Sequence, residues 1–218
     1  MIISRGRNFV FVHIPKTGGT SLALALEARA MKDDLLIGDT PKARKRKRKL
    51  EGLRPRGRLW KHSTLADIDG ILAPGDLAEM FIFTLVRNPW DRLVSYYHWL
   101  REQSFDHPSV EIARSTTFDA FLRSEPVQSS LRNAPASHYM RDVTGVERCN
   151  AFVRLERFEQ DAARLETHLG FALSLPHINR SKRNTDYREY YDAETRALVA
   201  DVCAEDIARF DYRFEPDE

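Results

Sequence analysis

Three short runs of mostly apolar residues stand out along the chain, at residues 8–14 (NFVFVHI), 80–87 (MFIFTLVR) and 149–155 (CNAFVRL). Strands that are buried on both faces have such nearly continuous apolar sequences, whereas strands with one solvated face alternate. We therefore predict that the first two runs are central strands of a parallel sheet and that the third is a further strand.

Segments rich in helix-forming residues alternate with these runs. Residues 21–30 (SLALALEARA) follow the first run, residues 157–170 follow the third and end with a glycine, and residues 191–210 supply one or two C-terminal helices. Strands that alternate with helices predict an α/β domain with a mostly parallel sheet. Ligands of such sheets bind at the carboxyl ends of the strands.

The second run leads into the helix with the clearest start signal, residues 88–100 (NPWDRLVSYYHWL). Asn88 is a good N-cap, and Pro89 fits the first helical position, where its missing N–H is not needed. One stripe of this helix is apolar and consists of Trp90, Leu93, Val94, Tyr97 and Leu100. We predict that this stripe packs into a core and that the polar face lies opposite to it.

The loop between the first run and its helix has the sequence HIPKTGGTS, residues 13–21. A glycine-containing loop at the start of a helix exposes backbone N–H groups, and the helix dipole there favours an anion. Lys16 adds a positive charge, while Gly18 and Gly19 let the backbone wrap closely around oxygen atoms. Further donors are the hydroxyl groups of Thr17, Thr20 and Ser21. The loop is therefore predicted to be an anion cradle.

The order of its residues separates this loop from the common nucleoside-triphosphate loop. That loop reads GxxxxGK[ST], with the lysine after the last glycine and the Ser/Thr on Mg²⁺. Here Lys16 precedes both glycines, and no apolar run ends in an acidic pair suited to a metal ion. The sequence therefore predicts an anion site without magnesium ligands, and no metal is expected.

Both motifs resemble those of sulfotransferases that use 3′-phosphoadenosine 5′-phosphosulfate (PAPS). HIPKTGGTS is similar to the family's 5′-phosphosulfate loop, most closely in the branch of heparan- and chondroitin-type carbohydrate sulfotransferases and their bacterial relatives. VRNPWDRLVSYYHWL is similar to the family's 3′-phosphate element, in which an arginine and a serine eight residues later hold that phosphate. The resemblance assigns these roles to Arg87 and Ser95. An arginine fork suits phosphate, and eight residues are about two helical turns.

The resemblance covers most of the chain, which we treat as a single domain, residues 1–218. It implies a P-loop-like three-layer fold with a central, mostly parallel sheet flanked by helices. Residues 175–214 look like the family's C-terminal region, which closes over the nucleotide. The residues that this places near the 3′-phosphate or the adenine are Ser181, Lys182 and Arg183. A solvated basic loop is the open alternative for them.

Sulfuryl transfer has a loose, in-line transition state whose charge the protein must stabilise. We expect Lys16 and the loop N–H groups to stabilise the charge that develops on the leaving 5′-phosphate. An acceptor hydroxyl also needs a base, and histidine titrates in the right range. His62, in LWKHSTLADI, lies in a segment that resembles the one where the glycan branch of the family carries its base. His138, in ASHYMRD, is the alternative.

Composition is that of an ordinary globular protein, with 42% apolar and 30% charged residues. No run approaches the roughly 20 apolar residues that cross a bilayer, and the N-terminal residues do not have the pattern of a signal peptide. The two cysteines, Cys149 and Cys203, form no CxxC pair. We expect a reduced, cytoplasmic protein without a transmembrane segment.

The net charge of +2 hides a strongly basic segment, residues 42–58, which contains ten Lys/Arg and one Glu. A solvated, poorly ordered insertion at about residues 40–58 is one interpretation. A docking patch for an anionic polymer or for peripheral membrane contact is another. Specific nucleic-acid binding is disfavoured because no aromatic residue is interleaved through the basic run and no reading motif is present.

The leading prediction is a PAPS-dependent sulfotransferase that acts on a hydroxyl, with a glycan as the expected acceptor. One alternative is a small-molecule kinase with a variant phosphate loop, which the position of the lysine and the absence of metal ligands disfavour. The other is a catalytically inactive relative that binds anionic polymers in a salt-sensitive way. The residues specify neither the acceptor nor the oligomeric state.

Overall fold

The chain divides into two compact units, of which the first contains a β-sheet and the predicted phosphate loop. The computed structural model describes residues 1–176, 184 and 186–215. The first unit comprises Met1–Val86 and Ala136–Ile178, and the second comprises Arg87–Pro135 and Asn179–Glu218. Arg87, the predicted phosphate ligand, is the first residue of the second unit.

Five strands form the sheet: β1 (Ile2–Ser4), β2 (Phe9–Val12), β3 (Leu35–Leu36), β4 (Phe81–Val86) and β5 (Ala151–Arg154). Their order is β3-β1-β2-β4-β5. β2, β4 and β5 are parallel, whereas β1 is antiparallel to both of its neighbours. The three apolar runs of the sequence therefore form three neighbouring parallel strands, as predicted.

Both faces of the sheet are buried, which explains the continuous apolar sequences. In β2, Phe9 and Phe11 belong to one hydrophobic core, and Val10 and Val12 belong to another. Because successive side chains of a strand point to opposite faces, a strand covered on both sides is apolar at nearly every position. The predicted α/β fold class, with a central sheet flanked by helices, is confirmed.

The helices of the first unit are α1 (Gly19–Ala28), α2 (Pro41–Lys45), α3 (Asp76–Glu79), α8 (Ala136–Met140), α9 (Phe158–Asp161) and α10 (Ala163–Leu169). Apolar residues of α1 and α10 share one core with the sheet, and Met140 of α8 lies in the other core. The helix predicted over residues 157–170 is divided at Ala162. It ends as expected at Gly170, which adopts a left-handed φ of 73°.

The N-terminal hairpin is the part of the sheet that the sequence analysis did not predict. β1 turns back onto β2 through residues 5–8, and the Asn8 N–H donates to the backbone oxygen of Arg5 at 3.2 Å. Asn8 has a φ of +51°, a conformation that asparagine tolerates better than most residues. The turn contains Gly6, but β1 has only three residues, and the sequence analysis assigned no strand before β2.

The second unit is helical and contains α4 (Pro89–Arg101), α5 (Pro108–Ser115), α6 (Phe118–Arg123), α7 (Glu125–Asn133), α11 (Ala193–Val202) and α12 (Ala204–Phe210). Helix α4 begins as predicted, because the Asn88 side chain accepts from the Trp90 N–H at 3.1 Å and Pro89 takes the first helical position. Its whole predicted apolar stripe is buried in one core. Helices α5 to α7 lie in a region to which the sequence analysis gave no structure.

The basic segment starts as a regular helix instead of a disordered insertion. The Thr40 hydroxyl caps α2 by accepting from the Ala43 N–H at 3.1 Å, and a 3-10 turn follows at Lys47–Leu50. The Lys42 ammonium donates to the backbone oxygen of Glu27. These contacts order a segment whose composition alone suggests a loop.

Candidate active site

The loop that follows β2 enters α1 with an unusual backbone. Lys16 has a φ of +64° and Gly18 has a φ of +87°, both in the left-handed region. No side chain of the described residues caps the N-terminus of α1. The N–H groups of Gly19 and Thr20, at its start, are therefore left for water or a ligand. Together with the helix dipole they form a binding site for an anion.

Packing disfavours a side chain at both glycines of the loop, and at Gly18 the left-handed backbone disfavours one as well. A Cβ on Gly18 would lie 2.9 Å from Cδ1 of Leu155. A Cβ on Gly19 would lie only 2.1 Å from Cδ2 of the His13 ring. The sequence analysis assigned both glycines to close approach by oxygen atoms, and the structure adds that neighbouring side chains occupy the space beside them.

The hydroxyl residues of the loop are not equivalent. Thr17 is buried, and its hydroxyl donates to the backbone oxygen of Ile14 at 2.9 Å. That proton holds the loop together, so Thr17 offers an anion only its backbone N–H. Thr20 and Ser21 lie half-buried at the first turn of α1.

A hydrogen bond to the residue after β2 orients His62 and also determines its tautomer. Its Nδ1 lies 2.7 Å from the backbone oxygen of His13. A carbonyl oxygen only accepts, so Nδ1 carries the proton and Nε2 keeps a lone pair in the neutral ring. Burial lowers the pKa of His62 from 6.5 to about 4, although the bond to His13 opposes this shift. The ring is therefore neutral near pH 7.

The Ser63 hydroxyl connects several backbone groups of the segment before His62. The buried Ser63 hydroxyl lies 2.8 Å from the backbone oxygens of both Arg58 and Trp60, and it accepts from the Trp60 N–H at 2.9 Å. This bonding closes a compact turn directly before the histidine.

An exposed aromatic ring lies beside His62. Trp60 is 40% exposed, and its ring meets the His62 ring edge-on with centroids 5.0 Å apart. The Arg58 guanidinium lies over the Trp60 ring, 4.8 Å from its centroid. Lys61 forms an ion pair with Asp39 at 2.8 Å. The surroundings of the histidine therefore offer both a ring face and positive charge.

Arg87 comes directly after β4 and is held by Asp91 at the first turn of α4. Its Nε and Nη2 lie 2.8 and 2.5 Å from Oδ2 of Asp91. Both side chains are largely buried, with 14% and 18% of their surface exposed. Such a pair fixes the orientation of the guanidinium fork. The sequence analysis did not assign this role to Asp91, although the spacing of four residues on a helix is its signal.

Of the remaining predicted nucleotide ligands, the structure describes Ser95. Ser95 is half-buried on α4, and its hydroxyl makes no hydrogen bond to any residue that the structure describes. Ser181, Lys182 and Arg183 lie outside the described residues. Their predicted contacts stay predictions.

β2 and β4 end side by side at one edge of the sheet. They pair in parallel, with Val12 opposite Thr84, and the Thr84 hydroxyl donates to the backbone oxygen of Val12 at 2.8 Å. The phosphate loop leaves the sheet after β2, and Arg87 follows the last residue of β4. Parallel strands with neighbouring carboxyl ends are where α/β sheets bind ligands.

His138, the alternative base, has a different environment. It is exposed on α8, and its ring meets the Tyr139 ring edge-on, with centroids 5.5 Å apart. Among the residues that the structure describes, no three His, Cys, Asp or Glu side chains form a group that could hold a metal ion. Within the same ranges, no helix has the length and apolar character required to cross a bilayer.

The comparisons with known proteins agree with the motifs. A family model described as the sulfotransferase family matches residues 1–213. The chain therefore belongs to the sulfotransferase family, so the predicted family and enzyme class are confirmed.

Among solved structures, the chain is similar to the crystal structure of mouse sulfotransferase SULT7A1 complexed with PAP. The identity is 16%, the TM-score is 0.47, and the alignment covers 96% of this chain and 87% of that chain. No curated protein sequence matches the chain.

Proposed function

We propose that the protein transfers the sulfuryl group of PAPS to a hydroxyl acceptor, with the 5′-phosphosulfate bound at the N-terminus of α1. The observation that carries this assignment is the uncapped start of α1, preceded by Lys16 in a left-handed conformation, in a member of the sulfotransferase family. Oxyanions bind where backbone N–H groups converge at a helix N-terminus.

Lys16 and the loop N–H groups stabilise the leaving group in this proposal. The acceptor oxygen attacks sulfur as the bond between sulfur and the 5′-phosphate oxygen breaks, and the negative charge moves onto the phosphate. Adenosine 3′,5′-bisphosphate leaves as the second product. The proposed donors are the N–H groups of Thr17, Gly18, Gly19 and Thr20 together with the Ser21 hydroxyl, because the Ser21 N–H already donates to the backbone oxygen of Gly18 at 3.0 Å. A sulfuryl group carries less negative charge than a phosphoryl group, so positive charge from one lysine and the helix dipole suffices.

His62 is the proposed general base. Its Nδ1–H is committed to the backbone oxygen of His13, which leaves the Nε2 lone pair to accept the proton of the acceptor hydroxyl. Its lowered pKa keeps it unprotonated near neutral pH. The exposed position of His138 gives that histidine no comparable orientation, which supports His62 over His138.

Arg87 and Ser95 are the proposed ligands of the 3′-phosphate, together with Ser181, Lys182 and Arg183. The proposal is supported by the Arg87–Asp91 bond, which orients the guanidinium, and by the Ser95 hydroxyl, which is not used elsewhere in the described residues. Arginine forks match the geometry of phosphate oxygens.

We infer that the acceptor is a saccharide. Trp60 presents an exposed ring next to the proposed base, and aromatic rings are flat platforms on which the apolar face of a sugar ring packs. The basic segment that includes α2 is the proposed site of contact with an anionic polymer or membrane surface. The cytoplasmic location is a proposal that rests on two cysteines without a disulfide, Cys149 and Cys203.

Ligand binding and turnover test this function together. The protein is expected to bind adenosine 3′,5′-bisphosphate without Mg²⁺, to bind ATP poorly, and to move label from ³⁵S-PAPS onto members of a panel of hydroxyl acceptors. Magnesium-dependent ATP binding would instead support a kinase. Salt-sensitive polymer binding without nucleotide affinity would support a non-catalytic relative.

A further inference from the structure

The residues that the structure describes give the imidazole of His13 no hydrogen-bond partner. His13 as a whole is 6% exposed, and its ring nitrogens are not fully shielded from solvent. The backbone oxygen of His13 accepts from Nδ1 of His62. Buried polar side chains are nearly always hydrogen-bonded, and exceptions point to a ligand or a functional role.

The unpartnered ring lies directly against the start of α1. A Cβ built on Gly19 would lie 2.1 Å from Cδ2 and 2.5 Å from Nε2 of His13. The edge of the imidazole that carries Nε2 therefore occupies the place of a side chain at the first residue of the helix. This is the same residue whose N–H opens the uncapped first turn.

The surroundings of His13 leave the ring neutral and fixed. Burial lowers the pKa of His13 well below its usual 6.5, and the charges of the N-terminus, Lys61 and Lys16 add to the effect. The ring stacks on Phe11, with centroids 5.9 Å apart, and meets the His62 ring edge-on at 4.6 Å. A neutral imidazole has one N–H to donate and one nitrogen that accepts.

We propose that Nε2 of His13 donates a hydrogen bond to the anionic group bound at the N-terminus of α1. Under the proposed function, on which this inference rests, that group is the 5′-phosphosulfate of PAPS. Two independent observations meet here. The described residues provide no side-chain cap for this ten-residue helix, and they provide no hydrogen-bond partner for the ring of the largely buried His13, which lies against the first residue of the helix. His13 would then be a direct ligand in addition to Lys16.

The two histidines have separate tasks in this arrangement. His62 is oriented by the backbone oxygen of His13, which any substitution of the His13 side chain preserves. The side chain of His13 faces Gly19 and the helix start. A change of the ring chemistry at residue 13 therefore tests the ligand contact without removing the bond that orients the base.

The test compares two nucleotides that differ only in the 5′-phosphate: adenosine 3′,5′-bisphosphate and adenosine 3′-phosphate. Isothermal titration calorimetry measures both affinities for wild type and for His13→Phe, which keeps a ring against Gly19 and Phe11 but has no N–H. We expect the wild-type preference for the bisphosphate to fall about tenfold in His13→Phe, since a hydrogen bond to a charged group is lost. The affinity for adenosine 3′-phosphate should not change.

A preference that is equal in wild type and His13→Phe would overturn the proposal while leaving the proposed function intact. A wild-type protein that does not distinguish the two nucleotides would overturn both, because no anion site would then exist at the helix start. His13→Asn, which retains an N–H donor, should keep more of the preference than His13→Phe.

A spectroscopic measurement on the wild-type protein replaces the variant if His13→Phe does not fold. With ¹⁵N-labelled histidine, the Nε2 and Hε2 resonances of His13 should move when the bisphosphate is added and not when adenosine 3′-phosphate is added. The Nδ1 resonance of His62 serves as an internal reference, because its bond to the backbone is retained. Unchanged His13 resonances with a saturating bisphosphate concentration would refute the contact.

Discussion

The His13 ring fills the space in which a Cβ of Gly19 would lie, with Cδ2 only 2.1 Å from that position. Because residue 19 has no side chain, the end of β2 and the start of α1 can pack closely against each other. Glycine at residue 19 permits this contact, and the contact in turn fixes where the first N–H of α1 points. The conformation of the loop therefore depends on the close contact between the His13 ring and Gly19.

Gly19→Ala should destabilise the protein and weaken anion binding together. The new methyl group and the His13 ring cannot both keep their positions, and overpacking of this kind costs about 1–3 kcal/mol in the free energy of unfolding. Chemical denaturation and calorimetry with adenosine 3′,5′-bisphosphate measure the two effects. Gly38→Ala is the matched control, because its Cβ would only reach Cβ of Lys61 at 3.7 Å, an ordinary contact.

The same contact predicts a non-additive double variant. His13→Ala removes the ring that clashes, so Gly19→Ala should cost less in that background than in wild type. The coupling is the cost of Gly19→Ala in wild type minus its cost in the His13→Ala background. Each cost is a change in the free energy of unfolding, measured by chemical denaturation. Additive effects would show that the helix start moves away from residue 13 in Gly19→Ala.

His62→Gln should abolish most turnover without affecting nucleotide binding. Loss of a general base typically lowers kcat about 10²–10⁴-fold. The affinity for adenosine 3′,5′-bisphosphate should stay at the wild-type value because the base contacts the acceptor side. His138→Gln is the control and should retain wild-type kcat; if instead this variant loses turnover and His62→Gln does not, the assignment of the base is reversed.

The pH dependence of wild-type turnover should reflect the low pKa of His62. Protonation of the base removes activity, and its pKa is lowered to about 4 by burial. The value of kcat/KM should therefore stay level from pH 7 to about pH 5 and fall only below that. A midpoint near 6.5 would show that the ring is solvated in the working enzyme.

Stability should depend on pH through the same histidine. In the unfolded chain His62 takes up its proton near pH 6.5, whereas the folded protein does so near pH 4. Between these values the unfolded state binds more protons, so the free energy of unfolding falls as the pH falls. Relative to His62→Gln, wild type should lose about 3 kcal/mol between pH 7 and pH 4. Urea titrations at several pH values measure this difference.

The sequence predicted the parts of the fold that local chemistry determines. Continuous apolar runs identified β2, β4 and β5, and Asn88 with Pro89 marked the start of α4. β1 and β3 are too short for a recognisable period, and the turn at Asn8 uses a left-handed residue that is not glycine. Their positions follow from pairing with β2, which is a tertiary effect.

The site was predictable where a motif has fixed spacing and not where distant segments meet. Lys16 and the glycines follow from the loop sequence, and Arg87 follows from the resemblance. The bond from His62 to the backbone of His13 joins residues 49 positions apart, so no local sequence pattern predicts it. The burial that lowers the pKa of both histidines likewise exists only in the folded chain.

Arg87→Ala should weaken binding through the 3′-phosphate only. Its guanidinium is oriented by Asp91 in the first turn of α4, and a hydrogen bond to a charged group contributes roughly 10- to 100-fold in affinity. The preference for adenosine 3′,5′-bisphosphate over adenosine 5′-phosphate should fall by that factor. Arg123→Ala is the matched control, since Arg123 forms the same type of pair with Asp119 on an exposed helix face. A similar loss in both variants would indicate a general charge effect.

Replacing Lys16 with glycine should relieve backbone strain but also remove most of the activity. A non-glycine residue at a φ of +64° is strained, and glycine at that position relieves about 1 kcal/mol of the strain. We therefore expect Lys16→Gly to unfold at a higher denaturant concentration than Lys16→Ala. Both variants should lose about 10²–10³-fold in kcat, because each lacks the charge that stabilises the leaving phosphate. Turnover at the wild-type rate in either variant would mean that the loop N–H groups alone support the reaction.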